Sequence, residues 1–254
     1  MKKLSWIYKY FIFKLKKKIN IDSNSFNYKS LDNLFNYFGS DKGTAVRNPY
    51  NKYSRKILGH GFAKFYEKNF KNFQEKKFNF LEIGTWKGAS LASFAKYFRN
   101  AQIYGLDRNF KFKYKSKRIK FLNYDTTNVD DLDRFKRNFK NKKFKIIIDD
   151  GSHLLSDIIH NFKFFSRFIK KGGYYVVEDY NHPKYYNFLN NTKKELLFDK
   201  IIKKFKYKIL FSSEILSETD QKFFHKNIKK IQTYHGLMKE AGRNISNIVF
   251  FRFK

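Results

Sequence analysis

An α/β fold with an open, mostly parallel sheet is what this sequence predicts, and three observations predict it. Short apolar runs rich in β-branched and aromatic residues alternate with helical patterns between residues 78 and 177, the mark of successive βαβ units. Acidic residues gather where those runs end: Asp107, then Asp149-Asp150, then Glu178-Asp179. Two glycines, Gly84 and Gly88, punctuate the turn after the first run. In open parallel sheets, ligands sit beyond the carboxyl ends of the strands, so this edge is the expected site.

Residues 78–83 read as the first strand. Residues 90–98 read as a helix because Leu91, Phe94, Ala95 and Phe98 recur at helical spacing. Residues 103–106 and 119–122 follow as strands, and a helix over 129–139 starts behind Asn128, a good cap. The run 144–148 is the fourth strand. A long amphipathic helix over 154–169 is expected to stop at Gly172-Gly173, with a fifth strand over 174–177. Beyond Tyr180 the pattern loosens: a basic helix over 193–205, then a closing antiparallel pair, 231–234 with 248–253. Ahead of the sheet, residues 23–70 are polar and helical in patches, with loops at 39–51 and 59–61. The expected division is an amphipathic helix and helical cap over 1–70 and the main domain over 71–254.

Composition narrows the function classes. The 254 residues hold no cysteine, excluding disulfides and thiolate chemistry and fitting a reducing, cytoplasmic setting. The net charge of +33 invites a polyanion partner. However, 45 of the 55 basic residues are Lys, spread along the whole chain, which reads better as compositional drift than as a nucleic-acid footprint. The Lys111, Lys113, Lys115, Lys117 run alternates with Phe112 and Tyr114 and is read as a solvated loop. No apolar stretch reaches the 18 or so residues that span a bilayer. Residues 1–18 combine Trp6, Ile7, Tyr10, Phe11 and Phe13 with lysines. They are expected to form an amphipathic helix that docks on the domain, with peripheral contact to an anionic membrane as the other reading. A homo-oligomer is left open.

The chemistry-bearing residues fall into two groups. Ile148-Asp149-Asp150-Gly151-Ser152-His153 and Val177-Glu178-Asp179 bring carboxylates and an imidazole to one sheet edge. Crowded carboxylates repel one another unless a cation neutralises them, and oxygen donors suit a hard ion such as Mg²⁺. His153 is then a candidate base. Asp149 is read as a support residue. The glycine turn, Glu82-Ile83-Gly84-Thr85-Trp86-Lys87-Gly88, lacks the third glycine of a dinucleotide fingerprint.

This turn resembles instead the first motif of class I S-adenosylmethionine (SAM)-dependent methyltransferases. Asp107 and Asp125 stand after successive strands, where that resemblance puts the ribose and adenine partners. The acid–histidine groups are further similar to the macrocin- and mycinamicin-type sugar O-methyltransferases. Gly39-Ser40-Asp41-Lys42-Gly43 and His60-Gly61-Phe62-Ala63-Lys64-Phe65-Tyr66-Glu67 resemble that family's upstream signatures. The resemblance covers residues 39–180, with a weaker echo in the last strands. It implies a Rossmann-like class I fold with a seven-stranded, mostly parallel sheet and helices on both faces. It also implies a SAM- and Mg²⁺-dependent enzyme acting on a sugar hydroxyl of a glycan or glycosylated metabolite. Carried over by position, Asp150, Glu178 and Asp179 are expected metal ligands, and His153 with Asp150 the catalytic pair. Glu82, Gly84, Gly88, Ser90, Asp107, Asp125 and Thr126 are expected at the SAM site. Ala63 departs from the family, which often has Thr there, so any hydroxyl contact at that position is lost. The alternative reading keeps the scaffold and changes the acceptor, to a nucleic-acid methyltransferase or a basic nucleic-acid-binding module.

Overall fold

A computed structural model describes residues 2–23, 28–47 and 56–254. Residues 48–51 of the expected loop, residues 24–27 and 52–55 of the expected cap and the Trp6 side chain lie outside this description. Seven strands form one sheet: β1 (Asn79–Ile83), β2 (Gln102–Asp107), β3 (Ile119–Asn123), β4 (Phe144–Asp149), β5 (Ile169–Glu178), β6 (Ile228–His235) and β7 (Asn247–Phe253). Their spatial order is β6-β7-β5-β4-β1-β2-β3. From β5 to β3 every neighbouring pair is parallel. Strand β7 runs antiparallel to both β6 and β5. The chain reverses between β4 and β2 at β1, so the glycine turn after β1 opens into the crevice where strand order switches.

Nine helices of four residues or more are described: α1 (Lys2–Leu15), α2 (Leu31–Phe38), α3 (Ala63–Phe70), α4 (Ala89–Tyr97), α5 (Val129–Asn138), α6 (Leu155–Phe165), α7 (His182–Tyr185), α8 (Phe198–Tyr207) and α9 (Glu218–Asn227). Side chains alternate across a strand, and this divides the core in two. Leu81, Ile147, Tyr175, Val177, Val249 and Phe251 face α5, α6, α8 and α9. Phe80, Ile146, Ile148, Val176, Ile248 and Phe250 face α2, α3 and α4. Phenylalanine supplies most of the volume. Phe162 of α6 packs against Tyr175, Phe198, Phe224 and Phe251, with ring centroids 4.5–5.8 Å apart.

Four local expectations change. Helix α6 ends at Phe165, a short 3₁₀ turn covers Ser166–Phe168, and β5 already starts at Ile169. Gly172-Gly173 therefore lie inside a strand. Gly172 has φ +66°, and the β4–β5 register shifts between Phe144 and Ile146. These glycines make an irregularity in the ladder rather than stop a helix. The basic helix starts at Phe198, five residues later than expected. Helix α9 was not anticipated, although Ser217 and Asp220 form a reciprocal cap at its start. The closing pair, β6 and β7, is longer than expected.

Candidate functional site

The glycine turn is shaped for close approach. Gly84 has φ +83°, and a Cβ there would overlap the carbonyl of Asp150, so only glycine fits. Gly88, with φ +84°, caps α4 with its Cα against the Phe112 ring. Between them, the Trp86 backbone N–H donates to Asp107 Oδ2 at 2.7 Å, while Asp107 Oδ1 accepts from the Asn109 N–H at 2.7 Å. Asp107 thus braces the turn and keeps lone pairs for a ligand, since a carboxylate accepts about four hydrogen bonds. Asp125 Oδ1 accepts from the Thr127 N–H and hydroxyl. Gly84, Gly88, Ser90, Asp107, Asp125 and Thr126 all line one open cavity of about 500 Å³. Glu82 does not. It is fully buried and accepts a hydrogen bond from the Ser90 hydroxyl at 2.6 Å, so it supports the wall from behind.

Part of the acid–histidine group lines the same cavity, through Lys42, Asp150, Gly151, Ser152 and His153. Asp150 Oδ1 lies 3.6 Å from His153 Nε2. Asp179 Oδ1 lies 3.5 Å from His60 Nδ1 and 3.8 Å from His182 Nε2. It is buried and, among the described residues, has no hydrogen-bond partner. Donor atoms of His153, Asp179 and His182 fall within 4.8 Å of one another. Among the described residues, five non-glycines have positive φ, and Trp86, His153 and Asp179 are three of them. Such strain persists only where surrounding structure enforces it, commonly at functional sites. Asp149 points the other way and accepts from Asn161 Nδ2 and the Tyr175 hydroxyl, as a support residue should.

Glu178 departs from its expected role as an open ligand. Its Oε1 accepts from the Tyr66 hydroxyl and its Oε2 from Lys42 Nζ at 2.7 Å. Lys42 is 1 % exposed and also reaches Asp150 Oδ2 at 2.5 Å and Glu82 Oε1 at 3.8 Å. One buried ammonium thus binds carboxylates from the ends of β1, β4 and β5. Sequence reasoning gave Lys42 and Tyr66 no role because both arrive from the N-terminal segment, 108 and 112 residues from the acids they meet. The two upstream signatures were the signal. His60, in the second signature, and His182 were likewise unassigned.

The electrostatics follow from burial. Burial pushes Glu178 and Asp179 well above the carboxylate range, with Asp150 adding to both. It pushes Asp150 upward too, but Lys42, His153 and His60 more than offset this and hold it below its usual value. Burial lowers His153 against the opposing pull of Asp150, and lowers His182 to about 4. Burial thus favours the neutral form of both imidazoles. One lysine serves Glu82, Asp150, Glu178 and Asp179, so Glu178 and Asp179 keep their protons unless a further cation compensates them. With the partnerless Asp179 oxygen, this fits a further cation near Asp150 and Asp179.

Comparison with known proteins agrees with this layout. Residues 81–180 match the family described as "Methyltransferase domain". Mycinamicin VI 2''-O-methyltransferase of Micromonospora griseorubida is 33% identical over 127 residues, covering 47% of this chain and 31% of that protein. Demethylmacrocin O-methyltransferase of Streptomyces fradiae is 30% identical over 127 residues, covering 47% and 32%. A solved structure of the MycE methyltransferase from the mycinamycin biosynthetic pathway, in complex with Mg and SAH, superposes with a TM-score of 0.66 at 23% identity, covering 89% of this chain and 55% of that one. The chain thus matches about a third of the length of its curated relatives and about half of the solved one. Residues 81–180 match the methyltransferase-domain family, in a chain that has the Rossmann-like class I methyltransferase fold and resembles the mycinamicin- and macrocin-type sugar O-methyltransferases.

Proposed function

We propose that this protein is a SAM-dependent, Mg²⁺-dependent O-methyltransferase whose acceptor is a sugar hydroxyl of a glycan or glycosylated small molecule. The observation that carries the reading is one cavity lined both by the braced glycine turn and by His153 with Asp150 beside it. The curated relatives named above methylate glycosylated compounds by name, which supports the acceptor class. Residues 1–70 act as a cap on the 71–254 methyltransferase domain, in the cytoplasm.

When bound, SAM supplies an electrophilic methyl group and a divalent cation supplies charge against the developing alkoxide. The protein's own residues do the rest. Gly84, Gly88, Ser90, Asp107, Asp125 and Thr126 hold and orient the methyl donor. Asp150 and Asp179 hold the cation, with Glu178 anchored behind them by Lys42 and Tyr66. His153 takes the hydroxyl proton, and Asp150 keeps its ring in place.

Calorimetry with S-adenosylhomocysteine (SAH) tests the cofactor assignment, and methyl transfer to a panel of glycosides tests the acceptor class. The proposal expects SAH binding and a methylated glycoside. Binding of NAD in place of SAH overturns it, and methyl transfer to RNA but to no glycoside leaves only the scaffold standing.

A further inference from the structure

Helix α1 has two apolar faces, and only one is covered. Phe13 is buried against Phe110 and Phe121, with centroids 5.4 and 5.3 Å apart, and Lys18 Nζ donates to the Phe112 carbonyl at 2.9 Å. Phe11 lies two residues from Phe13, about 200° around the helix, and it faces outward. Ile7, Phe11 and Leu15 follow at i, i+4, i+8 and make one row, with Tyr8 beside it. These four are 54%, 59%, 67% and 67% exposed in that order, and none of the described residues buries them.

Basic residues surround this row. Lys9, Lys14, Lys16 and Lys17 are exposed on α1 and the residues that follow it. Ile19–Asn20 then pairs in parallel with Tyr114–Lys115. That pairing fastens the exposed Lys111, Lys113, Lys115 and Lys117 beside the helix. The lysine run has no part in the cavity chemistry described above, although Lys113 and Tyr114 line the cavity. Exposed apolar residues and exposed lysines thus both stand on helix α1 and the segments next to it.

We propose that this helix and these segments form a docking surface for an anionic lipid bilayer, with Ile7, Tyr8, Phe11 and Leu15 entering the headgroup–acyl boundary and the flanking lysines meeting lipid phosphates. Three features select this occupant. A second copy of a chain carrying +33 would be repelled by its like charge. A nucleic acid would satisfy the lysines and leave the apolar row in water. A basic helix with an aliphatic and aromatic face lying in the membrane interface satisfies both. The binding is peripheral, since no described helix is long and apolar enough to cross a membrane.

The test is co-sedimentation of the full chain with phosphatidylcholine vesicles, with and without about 30% phosphatidylglycerol. The expected result is binding to the anionic vesicles only, weakening as salt rises. Phe11→Glu and Leu15→Glu should each reduce binding at least about tenfold, because the apolar row no longer enters the interface. The triple change of Lys14, Lys16 and Lys17 to Glu should reduce it by about 100-fold or more, at roughly fivefold per cation lost. Unchanged SAH affinity in these variants shows that the fold is intact, and vesicle binding is read independently of methyl transfer. Three results overturn the proposal: no preference for anionic vesicles, salt-dependent RNA binding that Phe11→Glu leaves intact, or a dimer in solution that Phe11→Glu dissociates.

Discussion

Lys42 is the side chain on which the buried charge of the site turns. It is enclosed by Glu82, Asp150 and Glu178 at 3.8, 2.5 and 2.7 Å. Removing one partner of a buried ion pair typically costs about 3–5 kcal/mol, because the remaining charges lose their compensation. Lys42→Met is therefore expected to lower unfolding free energy by about that much, read by urea denaturation. A loss below about 1 kcal/mol, the scale of an exposed pair, would show that the carboxylates shed their charge without it. His153 calls for a different experiment. If it takes the proton, His153→Ala should cut kcat by about 10²–10⁴-fold while SAH affinity stays within a factor of about two, because the expected methyl-donor contacts are other residues of the lining. Near-normal turnover would remove His153 from the base role.

At the level of elements, α9 illustrates how a polar residue sets where a helix begins. Ser217 and Asp220 cap each other's backbone, and Asp220 also pairs with Lys163 at 3.0 Å and Arg167 at 2.8 Å. Burial pushes the Asp220 carboxyl up, but these partners outweigh burial and leave it below its usual value. A carboxyl depressed on folding stabilises the protein above its unfolded pKa of about 3.9 and loses that contribution as pH falls through the folded value. Asp220→Ala is thus expected to cost about 1–3 kcal/mol from the cap and the ion pairs. The gap from wild type should be flat between about pH 5 and 8 and shrink below about pH 4. Chemical denaturation across that range checks both features, and a gap that widens in acid would contradict the assignment.

For the whole molecule, the N-terminal segment and the sheet share a core. Phe35 of α2 packs on Phe94 of α4 and on Tyr66 of α3, with centroids 5.2 and 6.2 Å apart, within the cluster that lines one sheet face. Phe35→Ala should therefore destabilise the protein by about 3–5 kcal/mol and keep a single unfolding transition. Two separated transitions would mean that the segment folds as an independent unit. The site depends on the same union, since α3 and the loop before it bring Tyr66 and Lys42 to the acids. Chelation is expected to stop methyl transfer and added Mg²⁺ to restore it, with Asp150→Asn weakening the metal response more than Asp149→Asn. Full activity in excess chelator would leave Asp150 and Asp179 without a cation to hold.

The order of strands and helices from residue 78 to 177, the glycine turn and the acids at the strand ends were legible in the linear sequence. Hydrophobic period, turn residues and strand-end chemistry are local, and a parallel sheet places successive strand ends on one edge. The closing pair could be read for the same reason. The glycines at 172 and 173 misled, because a strand irregularity and a helix stop use the same residue. Only the tertiary structure decided what occupies the midst of the acids. Lys42, Tyr66 and His60 meet Asp150, Glu178 and Asp179 because α2, α3 and their loops fold over the sheet, and no local period encodes a contact across more than 100 residues. It also decided that Glu178 faces Lys42 and Tyr66, since burial and partners, not residue type, determine whether a carboxylate stays open to a ligand.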